Sequence, residues 1–393
     1  MKHAGCYIQA VGIVSALGEG VEATRRALLK GDASGMRVEP GWLPQAPACV
    51  GRVSAPLADL PAGMQEYDCR NNRLLAAAAA QIRPQLDALA DRYGRRRIAV
   101  VIGTSTSGIA AGETAMLARL HDGAYPAGFF YRQQEIGATA PFAARLVGAQ
   151  GLAYTVSTAC TSGAKALIAA RRLLDLGLCD AALAGGVDSL CRLTVGGFTS
   201  LEATAPERCN PMSRNRRGIN VGEGAALFVL ERTPAAVALV GAGESSDAYH
   251  LSAPDPQGVG VEAALRAALH DAGCQPGDIA YINLHATATR KNDEMESRVM
   301  ARLFPSSTAM SGTKPMTGHT LGAAGAIEAA FCWLALTGDG QLPPHLWDGD
   351  ADPALPALNL VSTGARLPRN SARLVMSNSF AFGGSNASLI LSG

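Results

Sequence analysis

Residues 153–177 read AYTVSTACTSGAKALIAARRLLDLG. The stretch up to Val156 has the β-branched and aromatic character of a short strand. Just past Cys160, apolar Ala164, Leu167, Ile168 and Leu174 recur at helical spacing as far as a stop at Gly177. A strand that turns directly into a helix puts Cys160 at a helix N-terminus. The partial positive charge there favours a thiolate, and cysteines so placed can have pKa values of roughly 3.5–7.5. Small neighbours, Ala159, Ser162 and Gly163, leave room for an incoming thioester. Taken alone, the segment fits a nucleophile and a buried, inert cysteine equally well.

Further apolar runs alternate with alanine- and leucine-rich helical stretches: RRIAVVIGTS (96–105), DAALAGGVD (180–188), GAALFVLE (224–231), IAYINLHA (279–286) and ARLVMSNSF (372–380). This alternation predicts a layered α/β protein. ERTPAAV (231–237) is loop-like, and it divides the chain into parts 1–234 and 235–393. The 393 residues, 48% of them hydrophobic and 17% charged, suffice for a large core. A net charge of +1 offers no global attraction to nucleic acid or anionic lipid. Nine scattered cysteines without CxxC spacing indicate neither a disulfide framework nor a metal site, and a reducing cytoplasm is the expected location. No apolar run is long enough for a membrane span. Local basic segments remain as docking candidates: Arg70 and Arg73 in CRNNR, and Arg208, Arg214, Arg216 and Arg217 in ERCNPMSRNRR.

Three more segments carry polar groups suited to chemistry. In IAYINLHATATRKNDEMESRVMARLF (279–304) a strand ends at His285, and Asp293 with Glu296 reads as a capping box for the next helix. Thr287 and Thr289 add hydroxyls to the same loop. In SGTKPMTGHTLGAAGAIEAAFCWLAL (311–336), Lys314 and His319 precede an apolar helix carrying Glu328. A buried glutamate there needs a partner, for which Lys314 is the obvious candidate, and the pair could orient His319 or a water beside it. LVMSNSFAFGGSNASLIL (374–391) reads as a hairpin turning at Phe382, Gly383 and Gly384, where a backbone N–H could approach a ligand. A structural histidine, a structural ion pair and an ordinary hairpin are the simpler readings of these segments individually.

Together the motifs resemble a known family. TACTSGAKAL around Cys160, NLHATATRKND around His285, KPMTGHTLGAAGAIEA around His319 and NSFAFGGSN near the end resemble, in order and spacing, the elongating β-ketoacyl-acyl-carrier-protein synthases. YIQAVGIVSALG, VGEGAALFVLE and SSDAYHLSAPDP extend the likeness over nearly the whole chain.

The resemblance implies a thiolase fold, two pseudo-symmetric βαβαβαββ halves in five layers, usually dimeric. It implies that Cys160 takes an acyl group and that His285 and His319 assist decarboxylation of a malonyl unit. The N–H groups of Cys160 and Phe382 would form an oxyanion hole, and Phe382 would gate the acyl pocket together with SSDAYHLSAPDP. Thr287 and Thr289 would bond phosphopantetheine, and Lys314 with Glu328 would order the site around His319. Thr106 would line the acyl channel, and Arg70, Arg73, Arg214 and Arg216 would dock an acidic acyl carrier protein. No metal or redox cofactor is implied.

The sequence departs from the family pattern at Ala286, Ala288 and Ala381, where glycines are usual, at Met212 and Ser213, which replace an aromatic residue and an aspartate, and at Thr106, usually a bulkier aliphatic residue. HATATRKNDEMES with LPPHLWDGD looks most like condensing enzymes of aryl polyene pigment clusters, which are often paired with a related subunit lacking the cysteine. Fatty-acid elongation is the alternative pathway. A non-catalytic carrier-binding or chain-length subunit and a thiolase acting on coenzyme A esters are the rival classes. Retention of Cys160, His285 and His319 argues against the first, and the two-histidine set argues against the second.

Overall fold

The computed structural model describes residues 5–368 and 373–393. The first part contributes β1 (Tyr7–Ser15), β2 (Ile98–Gly103), β3 (Ala153–Val156), β4 (Ala181–Asp188) and β5 (Gly224–Glu231). The second contributes β6 (Val237–Ser246), β7 (Ile279–Asn283), β8 (Ala309–Ser311), β9 (Leu374–Phe380) and β10 (Ser385–Ser392). Their hydrogen-bonded orders are β3-β2-β4-β5-β1 and β8-β7-β9-β10-β6. Counted from the start of each part, both run third, second, fourth, fifth, first. The first three positions are parallel neighbours and the last two pairings antiparallel in both parts. One topology is therefore used twice, and β1 and β6 join the two sheets edge to edge at Tyr7–Ala238. The change from one pattern to the next falls between Glu231 and Val237, the stretch that contains Pro234.

Helices α1 (Arg70–Gln81), α2 (Thr139–Val147) and α3 (Ser162–Asp175) connect the first set of strands, and α4 (Val259–Ala272), α5 (Arg290–Leu303) and α6 (Ala324–Thr337) the second. Period-2 alternation along the strands decides which helices face which side. Val100 and Ile102 of β2 pack beneath α1 and α2 with Leu74, Leu75 and Phe142, while Val101 between them faces Leu167 and Ile168 of α3. In the second sheet, Val375 and Leu389 face Ile327 and Phe331 of α6, whereas Met376 and Ile390 face Val261 of α4 and Met295 of α5. The result is five layers, α/β/α/β/α, with α3 and α6 in the centre. Sheets covered on both faces explain the nearly continuous apolar strands, and the central position of α6 explains why it is apolar on almost every side.

The two central helices meet at their N-termini, and the contact is reciprocal. A Cβ on Gly163 would lie 2.9 Å from Ala326 N, and a Cβ on Gly325 would lie 2.8 Å from Ala164 N. Only glycine permits this backbone approach, which brings the segment before α3 beside the segment before α6. Those segments hold Cys160 and His319. Gly163→Val is accordingly expected to prevent close packing of the halves, with loss of soluble chain or of a cooperative thermal transition by circular dichroism; a wild-type melting curve would contradict this reading.

Candidate active site

Cys160 sits between β3 and α3, immediately after Ala159, whose backbone is left-handed (φ 52°). It is only 6% exposed. His319 Nε2 lies 3.0 Å from its Sγ, and the backbone N–H groups of Phe382 and of Cys160 itself are directed at the sulfur. The sequence suggests a resident thiolate, but burial pushes the Cys160 thiol up to about 12, only partly opposed by the charge of Lys314. The dipole of one helix does not outweigh desolvation here. In the resting chain the thiol is protonated, and it rests against His319 Nε2.

His285 follows β7 on a loop held from below by two buried carboxylates. Glu296 Oε1 accepts the His285 N–H at 2.7 Å and Oε2 the Ala286 N–H at 2.7 Å. Asp293 accepts the N–H of Ala288 at 3.2 Å and that of Met212 at 2.8 Å. These are not the capping box expected from the sequence. α5 begins at Arg290 with Thr289 at its cap, so Asp293 and Glu296 lie inside the helix and reach back over the preceding loop. Burial raises Asp293 to about 6 and Glu296 to about 7.

The clamp explains how alanine stands where glycine is usual. Ala286 (φ 39°) and Ala288 (φ 62°) take left-handed conformations that cost about 1–2 kcal/mol each for an L-residue. The bonds to Glu296 and Asp293 offset that cost. Ala381 differs: its φ of −114° is ordinary extended backbone, and the turn uses Gly383 (φ 81°) and Gly384 (φ 76°) instead.

Lys314 is 1% exposed and meets Glu328 at 2.6 Å, as expected. Its other contacts correct the expected role. Its ammonium donates to the His285 carbonyl and lies 3.5 Å from His285 Nδ1, so the pair orders His285, not His319. An ammonium can only donate, so Nδ1 accepts and the proton sits on Nε2. His319 is held through its backbone, its N–H donating to Asn220 O at 2.6 Å and its carbonyl accepting Gly222 N–H at 2.9 Å. Its Nδ1 has no hydrogen-bond partner among the described residues. The two rings stand edge to face at 5.3 Å. Burial, reinforced by Lys314, holds both histidines well below their ordinary range and hence neutral. Cys160 Sγ and one ring nitrogen of each histidine lie within 4.8 Å of one another.

This cluster closes the inner end of a cavity of about 450 Å³ lined also by Thr287, Thr289, Phe198 and Phe382, with Arg217, Arg290 and Lys291 contributing to its wall. The Thr287 and Thr289 hydroxyls are 2.9 Å apart, and the Phe198 and Phe382 rings are in contact at 5.4 Å. Among the described residues, no helix is long and apolar enough to cross a membrane.

The family models for the β-ketoacyl synthase N-terminal and C-terminal domains match residues 7–236 and 236–347. The chain belongs to the β-ketoacyl synthase family. It is 31% identical to 3-oxoacyl-[acyl-carrier-protein] synthase 2 of Vibrio cholerae over 99% of both chains. It is 34% identical to nodulation protein E of Rhizobium sp. over 81% of each. Among solved structures, the ketosynthase ApeO of Xenorhabdus doucetiae, in complex with its chain length factor ApeC, superposes with a TM-score of 0.94 at 46% identity, covering 99% of this chain and 98% of that one. A β-ketoacyl synthase from Burkholderia phymatum gives 0.85 at 30%, covering 99% of both. These relatives establish the thiolase fold.

Within this ketosynthase, several residues singled out from the sequence lie elsewhere than expected. Thr106 does not line the cavity; it is fully buried, its hydroxyl on Asp188. Arg216 is 3% exposed and committed to Asp352 at 2.5 Å, so it is not free to meet an external acid. Arg70 is held by both oxygens of fully buried Glu223. Arg73 is paired with Asp59 and Asp68, and Arg214, 58% exposed, faces Asp350 at 3.6 Å. Arg208 is exposed. Ser213, in place of the usual aspartate, bonds Asp348, so the DGDAD stretch supplies the acids that order the arginine loop. The gating segments are tied together: Gly383 N–H donates to Leu251 O, Asp247 N–H to Gly384 O, and Asn386 to the Asp247 carboxylate. Sequence reasoning missed the clamping role of Asp293 and Glu296 and the stacking of Phe198 on Phe382; carboxylates spaced for a cap were the only signal for the former.

Glu296→Gln keeps one acceptor oxygen for two N–H groups and so releases one end of the His285 loop. We expect the His285 ring signal in histidine-selective NMR to shift, with the fold retained by circular dichroism. An unmoved signal would show that the clamp does not position His285.

Proposed function

We propose that this ketosynthase is a catalytic condensing subunit that extends an acyl chain carried on Cys160 with the two-carbon unit of malonyl-acyl-carrier protein. The observation that carries the reading is the 3.0 Å contact of Cys160 with His319 at the end of a cavity that also holds His285. A non-catalytic chain-length subunit has no use for a thiol, an imidazole acceptor and two amide donors directed at one point.

The steps follow from the donors and acceptors present. His319 Nε2 takes the Cys160 thiol proton as the sulfur attacks the primer thioester, and the proton leaves with the departing carrier thiol. The Cys160 and Phe382 N–H groups face the oxyanion formed in that transfer. Malonyl-carrier then enters, with Thr287 and Thr289 bonding its phosphopantetheine arm. Loss of carbon dioxide leaves charge on the thioester oxygen, where His285 Nε2–H donates. His319 serves as the second donor, because its unengaged Nδ1 lets the ring change tautomer without breaking another bond. The resulting carbanion attacks the acyl-Cys160 carbonyl, breaks the C–S bond and returns the thiolate, which takes a proton from solvent to regenerate the thiol. No metal or redox cofactor is needed. The carrier would dock near the cavity mouth, where Arg217, Arg290 and Lys291 remain exposed, with exposed Arg214 on the same arginine loop.

Likeness to ApeO, solved with its chain length factor, supports a heterodimer with a related subunit, and the motifs HATATRKNDEMES and LPPHLWDGD favour an aryl polyene product over general fatty-acid elongation. Exposed apolar residues on and after the helix Ile109–Asp122, among them Leu120 (76%) and Tyr131 (67%), suit a protein partner.

Intact-mass analysis of carrier protein, after incubation with malonyl-carrier and either aliphatic or aryl-enoyl primers, tests the activity. A β-ketoacyl product that disappears with Cys160→Ala is expected, and greater product from aryl-enoyl primers supports the polyene pathway. Undiminished product with Cys160→Ala, from the chain together with its partner subunit, would establish the non-catalytic role instead.

A further inference from the structure

The most heavily bonded carboxylate among the described residues is not among the groups with a role in the chemistry above. Asp188, at the end of β4, is fully buried. Its Oδ1 accepts Thr104 Oγ1 at 2.6 Å, Ser105 N at 2.8 Å, Thr106 N at 2.9 Å and Thr106 Oγ1 at 3.0 Å. Its Oδ2 accepts Ser105 Oγ at 2.5 Å and Gly322 N at 2.6 Å. Five of these donors come from the segment after β2 in the first half. The sixth comes from the second half, three residues beyond His319. No basic side chain bonds the carboxylate among the described residues, so a buried acid is sustained by neutral donors alone, an arrangement not required for folding a strand end.

The bond to Gly322 falls at a point of strain. Leu321 is left-handed (φ 50°), and the turn it makes starts α6. A Cβ on Gly322 would lie 2.7 Å from Ser105 N and 2.8 Å from Asp188 Oδ2, so glycine is needed for the approach. His319 itself is anchored on its other side by Asn220 and Gly222, and among the described residues its ring has no hydrogen-bond partner except Cys160. The His319 backbone is thus fixed from two directions, and Asp188 supplies one of them.

We infer that Asp188 is a positioning residue of the condensing site: by tying the strand ends of the first half to the turn after His319, it sets where the His319 imidazole stands against Cys160. The inference rests on the proposed reaction only for its kinetic consequence. Asp188→Asn is the selective probe. With Oδ1 already accepting four donors, the amide oxygen stays there and the NH₂ replaces Oδ2, so the Gly322 N–H loses its 2.6 Å acceptor and keeps only the 3.2 Å contact with Ser105 Oγ.

The variant would be compared with wild type, His319→Ala and the double variant in malonyl-carrier decarboxylation, with rates normalised to the Cys160 that iodoacetamide can titrate. The expected result is a kcat lowered about 100-fold with little change in KM, as for a reacting group displaced by about 1 Å, and less than about threefold further loss in the His319→Ala background. An unchanged kcat per titratable thiol, or an equal loss in both backgrounds, would overturn it. The chain has seven histidines, so the His319 ring signal can be followed by histidine-selective NMR whatever the activity. If wild type decarboxylates nothing, the functional reading fails, but a shifted His319 signal in folded Asp188→Asn still supports the positioning role and an unmoved one overturns it.

Discussion

The contact between Cys160 of the first half and His319 of the second is the constraint around which the molecule is organised. Neither half can make it alone. It requires two copies of one topology, their central helices meeting N-terminus to N-terminus, and glycine at positions 163 and 325 so that the backbones touch. The segment Asn220–Gly222 then reaches across from the first half to hold the His319 backbone, and Gly218 N–H likewise reaches Ala288 O on the His285 loop. The duplicated fold is thereby locked at the place where its chemistry is assembled.

Burial alone does not mark the reactive cysteine. Cys209 and Cys6 are also pushed up to about 12 and are as deeply enclosed. What separates Cys160 is its surroundings: an imidazole acceptor in contact, two amide N–H groups on the sulfur and an open cavity. It is the combination that sets Cys160 apart: an imidazole to take the proton and amide donors for the developing charge, at the end of a cavity a substrate can enter. The buried Lys314–Glu328 pair is costly to desolvate and is weak support for stability in itself. Its position against His285 explains its presence better, since it fixes the tautomer that presents Nε2–H to the cavity.

Much of this was legible in the sequence. The strand-to-helix setting of Cys160, the hairpin at Phe382–Gly384 and the Lys314–Glu328 pairing follow from local spacing, and local spacing is what a sequence displays. Long-range partners were not. Asp293 and Glu296 have the spacing of a cap, and only the packed structure shows that α5 starts earlier and that they grip the preceding loop. Arg216 reads as a surface charge until Asp352, far along the chain, buries it. Thr106 reads as a channel residue only through the family resemblance, whereas in the fold Asp188 draws it inward. The thiolate expected at Cys160 failed for a related reason: a helix terminus is visible in sequence and depth of burial is not.

The central claim is that one thiol among nine cysteines accepts the acyl group. It is tested most directly by incubating the chain, with its partner subunit present, with an acyl-carrier protein and mapping the modified peptides by mass spectrometry. The account predicts one acyl group per chain, on Cys160, and its loss in His319→Ala to a slow residual rate. Acylation spread over other cysteines, or a fully modified Cys160 at undiminished rate without His319, would contradict it.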